Sequence, residues 1–199
     1  FVAKTDFDFY NDYENWANQF RRMNGPLNQD PDLEKLGMKI EPSTTIVKMS
    51  KDNNGDTKGT DPYGKSKRSE GTDPHTIGYV AFYNKNLCSD SSTKVPLLLC
   101  FHGGGDSAFY IPVMSGWAKI ANRHNFLLVS IENHLNSTAT ETVELIEHLK
   151  NKYPIDETKI YASGFSMGGC KTWDLIQEYP EVLAAASPMD ATFEVGLNV

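Results

Sequence analysis

The sequence predicts an α/β chain built on a doubly wound, mostly parallel sheet. Three observations carry that reading. Short apolar runs alternate with stretches of helical periodicity between residues 95 and 186. One run, Val95–Phe101 (Val-Pro-Leu-Leu-Leu-Cys-Phe), is apolar throughout, as in a central strand buried on both faces. Glycine clusters at 103–105 and 164–169 each follow a strand pattern and precede a helical one.

Composition bounds the rest. A chain of 199 residues with 39% hydrophobic content is about one domain with a real core. A net charge of −7 and a pI near 5.2 argue against a nucleic-acid surface. The densest basic patch, Lys65–Arg68, is flanked by acidic residues and reads as a solvated loop. No apolar run reaches the length of a membrane span, so no membrane partner is expected. The chain opens on Phe1 with no signal-peptide pattern, which implies a trimmed start. Three cysteines, Cys88, Cys100 and Cys170, are odd in number and make no disulfide framework, so buried free thiols are expected. Asn136-Ser-Thr138 is a glycosylation sequon, which matters only in a secreted eukaryotic protein.

In chain order, Tyr13, Trp16 and Phe20 mark one amphipathic helix over Asn11–Met23, and a short turn of helix is expected at Asp32–Leu36. Residues 1–43 form this helical lead. Thr44–Ser50 is β-branched and predicts a strand. Residues 51–75 are polar and turn-rich, and are expected to be a long surface excursion. Asp52–Asp56 lacks the spacing and terminal glutamate of a calcium loop. Thr76–Tyr83 reads as a strand, followed after Val95–Phe101 by one helix through Met114, Trp117 and Ile120. Phe126–Ile131 is a second buried strand. Thr138 with Glu141 makes a capping box for a helix carrying Val143, Ile146 and Leu149. A further strand leads into Gly164, a helix runs to Tyr179, and Leu183–Ala186 predicts the last strand before Ser187-Pro-Met-Asp190.

Two motifs carry chemistry. Gly164-Phe165-Ser166-Met167-Gly168 is a Gly-x-Ser-x-Gly between strand and helix, the pattern of a nucleophile elbow. By chance it would occur in roughly one chain of this size in fifteen, so the strand–helix context supplies much of the weight. A plain turn whose serine caps the helix is the alternative. Upstream, His102-Gly103-Gly104-Gly105 follows a central strand, where backbone N–H groups can approach a developing oxyanion closely. The donors expected are Met167 N–H and Gly104 N–H, with Gly103 or Gly105 if the register differs. His102 is expected to brace the loop rather than act as base. A rival reading joins Gly103–Ala108, as Gly-x-Gly-x-x-Ala, to Glu132 as a dinucleotide site. It leaves the elbow unexplained.

Four stretches together resemble one branch of the α/β-hydrolases: the polyhydroxybutyrate depolymerase, feruloyl esterase and acetylxylan esterase group. These are His102–Gly105, Gly116-Trp117-Ala with Asn125-Phe126, Tyr153–Gly169, and Tyr179-Pro-Glu-Val-Leu-Ala-Ala-Ala. The resemblance covers residues 76–190. It implies a secreted or periplasmic serine esterase acting on plant-polysaccharide esters or related polyesters, with no metal or organic cofactor. A peptidase of the same fold is not separable from it by these residues.

The chain departs from that pattern in one respect. The expected order is serine, then acid, then histidine, yet all five histidines (His75, His102, His124, His134, His148) precede Ser166. Residues 44–199 are therefore expected to be the N-terminal two-thirds of the hydrolase domain. Its C-terminal strands, with the base and acid, would lie on a missing tail or a separate C-terminal fragment. A catalytically inactive module is the other account. Asp190, a late carboxylate, and His134, after the second buried strand, are expected at the rim of the site, His134 on a surface loop. The short Asn133–Thr140 link suggests a small cap and an open site.

Overall fold

The computed structural model describes residues 37–47, 75–87, 93–132, 134 and 137–191. The expected helices at 11–23 and 32–36, the excursion up to residue 74 and Cys88 lie outside them. Six strands form one mixed sheet in the order β1-β2-β4-β3-β5-β6. They are β1 (Met38–Val47), β2 (His75–Asn84), β3 (Val95–Phe101), β4 (Leu127–Ile131), β5 (Ile155–Phe165) and β6 (Ala185–Met189). The first two pairings, β1 with β2 and β2 with β4, are antiparallel; β4, β3, β5 and β6 run parallel.

Strand β3 shows why the sheet needs helices on both sides. Leu97, Leu99 and Phe101 face one core, shared with Leu127, Val129, Leu145, Ile146 and Leu149. Leu98 and Cys100 face another, shared with Phe82, Ile111, Ala118 and Leu128. An alternation that is apolar on both faces demands cover on both, which parallel crossovers supply. Helices α1 (Tyr110–Met114) and α2 (Trp117–His124) cover the second core; α3 (Ala139–Lys152) and α4 (Met167–Glu178) cover the first. Cys100 and Cys170 are buried free thiols, and burial pushes the Cys100 thiol strongly up.

Three boundaries differ from expectation. β1 begins at Met38 rather than Thr44, with Pro42 inside it opposite Val80. Proline argues against a strand interior, but among the described residues β1 pairs only with β2, and an edge strand tolerates proline. The single helix through Met114, Trp117 and Ile120 is two. Ser115 N–H and Oγ–H both donate to Ile111 O (3.0 and 2.6 Å), closing α1. Gly116 then turns left-handed (φ 78°) before α2. Met114 and Ile120, read as one apolar stripe, are both exposed. Last, β6 starts at Ala185 because a 3₁₀ turn at Pro180–Val182 takes up the preceding residues.

The capping box is present in full. Thr138 Oγ1 accepts Glu141 N–H (3.1 Å) and Glu141 Oε2 accepts Thr138 N–H (2.8 Å). Thr138→Ala is expected to cost about 1 kcal/mol, read as a lower urea midpoint with an unchanged slope.

Candidate active site

The C-terminal ends of β3, β4, β5 and β6 lie side by side, and the two glycine motifs meet there. β5 ends at Phe165, and α4 starts at Met167. Ser166 alone makes the reversal, with φ 52° and ψ −116°, a conformation costing on the order of 1–3 kcal/mol in a non-glycine residue. Packing holds it there. Ser166 N–H donates to Met189 O on β6 (2.9 Å), and Ser166 O accepts Cys170 N–H (3.1 Å).

The flanking glycines are explained by close approach. A Cβ on Gly164 would lie 2.1 Å from Gly168 O, and one on Gly168 would lie 2.2 Å from Phe101 O. The first turn of α4 is thus pressed against both β5 and the end of β3. Ser166 is partly exposed, outside both cores, and its side chain makes no capping hydrogen bond. Met167 opens α4, where an N–H has no intrahelical acceptor and the positive end of the helix dipole emerges.

The 102–108 loop packs directly on this turn. A Cβ on Gly104 would lie 2.5 Å from Met167 Sδ, and one on Gly103 would lie 3.2 Å from the Phe165 ring. Gly104 and Gly105 are exposed, and Gly105 is left-handed (φ 82°). Asp106 is half-buried; burial pushes its carboxyl up and the His102 charge opposes this.

Both His102 ring nitrogens face carbonyl oxygens: Nδ1 meets Gly103 O at 2.8 Å and Nε2 meets Glu132 O at 2.7 Å. His134, expected at the rim on a surface loop, is fully buried instead. Its ring packs edge-on against His102 at 4.4 Å, and its Nδ1 donates to Ile131 O (3.0 Å). Burial holds the His134 imidazole well below its ordinary range, with the His102 and Lys171 charges adding to the effect. The polar sequence around His134 did not reveal this burial. Asp190 is exposed, one residue past β6, with φ 48°.

The dinucleotide reading is corrected here. Glu132 Oε2 accepts Ala108 N–H at 2.6 Å, so the carboxylate occupies the donor that a phosphate would need. The helix that follows the loop starts at Tyr110 and is five residues long, and Gly104 faces Met167 rather than a ligand cradle. The spacing from Ala108 to Glu132 was visible in the sequence, but it marks a contact within the protein.

Sequence reasoning also missed a buried ion pair on α4, Lys171 Nζ to Asp174 Oδ2 at 2.9 Å. Beside β5, an open apolar groove of about 240 Å³ lies among Leu98, Trp117, Phe126, Tyr161 and Ala185. Trp117 Nε1–H donates to Ser163 Oγ (3.2 Å) along it.

Strand order, the left-handed serine and the packing of its neighbours Phe165 and Met167 on the glycine loop decide the fold. The chain has the α/β-hydrolase fold and is similar to esterases. No family model matches it. It is 29% identical over 133 residues to a bifunctional acetylxylan esterase/xylanase of Neocallimastix patriciarum, covering 62% of this chain and 18% of that protein. It is 23% identical over 124 residues to poly(3-hydroxyalkanoate) depolymerase C of Paucimonas lemoignei, covering 53% of this chain and 30% of that protein. The chain therefore spans less than a third of either curated relative. Among solved structures, a ferulic acid esterase superposes with a TM-score of 0.55 at 17% identity, over 77% of this chain and 59% of that one. Among the described residues, no helix is long and apolar enough to cross a membrane.

Proposed function

We propose that this protein is a serine ester hydrolase acting on feruloyl or acetyl esters of plant polysaccharides outside the cell. The observation that carries the reading is the facing of Ser166, left-handed at φ 52° over the α4 N-terminus, by a glycine loop whose Gly104 touches Met167. An elbow alone could be a turn, and a glycine loop alone could be a bend; together they bracket one oxygen. Ser166 Oγ attacks the ester carbonyl carbon and gives its proton to a histidine as it does so. The carbonyl oxygen becomes an oxyanion held by Met167 N–H and Gly104 N–H, or by Gly103 or Gly105 in a shifted register. The alcohol leaves with the proton from the histidine. Water then attacks the acyl-serine, the same histidine takes its proton, and the acid is released. The cycle is closed without metal or organic cofactor.

The histidine and its orienting acid are assigned to polypeptide outside the described residues, either a later stretch of the same chain or a C-terminal fragment of it. Among the described histidines none is hydrogen-bonded to Ser166 Oγ. His102 and His134 face carbonyls, His148 meets Tyr79 Oη (3.3 Å), and His124 is exposed at the far end of α2. β6 has a single strand neighbour among the described residues. Its free edge and the apolar groove beside it suit further polypeptide of the same fold. Asp190 would sit at the rim of the completed site.

The substrate class is supported by what the relatives are named for: acetylxylan, a polyester and ferulic acid. The same missing base favours one other reading, a catalytically inactive binding module. Turnover of nitrophenyl acetate, methyl ferulate and acetylated xylan by the protein from its native source separates the two, and its intact mass shows whether a second fragment accompanies this one. Absence of both turnover and fluorophosphonate labelling at Ser166 would leave only the inactive module.

A further inference from the structure

One residue, Glu132, is attached to both ends of the 102–108 loop. Its carbonyl oxygen lies 2.7 Å from His102 Nε2, and its carboxylate oxygen accepts Ala108 N–H at 2.6 Å. Its own N–H donates to Gly78 O (2.9 Å), which fixes it to β2. Between those ends the loop closes on Gly103 O, which faces His102 Nδ1 (2.8 Å) and accepts Asp106 N–H (3.2 Å).

Burial raises the Glu132 carboxyl, and the His102 charge and Ala108 N–H oppose that rise. The His134 ring stands edge-on to His102 at 4.4 Å and spends its Nδ1–H on Ile131 O (3.0 Å). From α4, Lys171 adds to the burial that holds the His134 imidazole low, and its own charge is met by Asp174.

We propose that Glu132 is a positioning residue for the oxyanion loop, clamping Ala108 with its carboxylate and the His102 ring with its carbonyl. The His102 ring nitrogens then face backbone carbonyls at the base of the loop. The loop tip at Gly104 and Gly105 stays exposed while its two ends are held. The proposal rests on the reading of residues 102–108 as the oxyanion loop.

The test compares the native full-length protein with its Glu132→Gln and Glu132→Ala variants. Ala108 N–H should be protected from exchange in the wild type and in Glu132→Gln, whose amide oxygen can still accept, and should lose protection in Glu132→Ala. With nitrophenyl acetate, kcat should fall roughly tenfold to a hundredfold in Glu132→Ala with KM within about twofold, less than removal of a donor itself costs. Glu132→Gln should recover most of that loss. Equal Ala108 exchange in all three proteins overturns the clamp. So does an unchanged kcat in Glu132→Ala. A wild type without turnover sinks the esterase reading instead, while the exchange measurement still judges the clamp by itself.

Discussion

Ser166→Ala is expected to lower kcat for nitrophenyl acetate by about 10⁴-fold or more and to leave the urea midpoint nearly unchanged. The rate loss follows from the role: without Oγ no acyl-enzyme forms, and what survives is oxyanion stabilisation and binding, typically 10³–10⁴-fold over water. The stability result follows from the backbone. Alanine at φ 52° suffers the same Cβ collision as serine, and the Ser166 side chain makes no capping hydrogen bond to lose. Ser166→Gly separates the two effects. It removes the collision and should stabilise the fold by about 1 kcal/mol while remaining as inactive as the alanine variant. A gain in stability with total loss of rate is what a strained nucleophile implies. If Ser166→Ala keeps more than a tenth of wild-type turnover, Ser166 is not the nucleophile.

The fold was legible wherever a single physical constraint dominated. A wholly apolar Val95–Phe101 admits few fates but a central strand, and it is one. Thr138 and Glu141 mark a helix start because each satisfies the other's backbone donor. Signals that depend on a neighbour in space were lost. Pro42 hides a strand unless β1 is known to be at an edge. Gly116 breaks a helix by turning left-handed, which an apolar stripe does not foretell. At the candidate site the pattern marked Ser166 and the glycines, since local backbone geometry dictates those residue types. Glu132 and His134 were misplaced because their roles are tertiary. The carboxylate of Glu132 serves an amide 24 positions earlier, and His134 is buried against the His102 and Phe101 rings in spite of its polarity.

Gly168→Ala should be far more damaging than the same change at Gly104, with a loss of roughly 3 kcal/mol or more. The added Cβ would lie 2.2 Å from Phe101 O, 2.5 Å from Phe101 C and 2.6 Å from His102 O. All three are backbone atoms at the end of a central strand, so nothing can rotate away; α4 must lift off the sheet. Lifting α4 breaks the Ser166 N–H to Met189 O bond and removes the packing that keeps Ser166 left-handed. Gly104→Ala is the control. Its Cβ would approach Met167 Sδ at 2.5 Å, but a thioether on rotatable bonds can move aside. That variant should lose less than about 1 kcal/mol in urea while its ester kcat falls, because alanine stands where substrate oxygen and loop backbone must meet. The pair thus splits stability from rate across two glycines on opposite sides of one elbow. Equal urea midpoints for Gly168→Ala and Gly104→Ala would mean that α4 is not seated on β3, and the shared oxygen site would go with it.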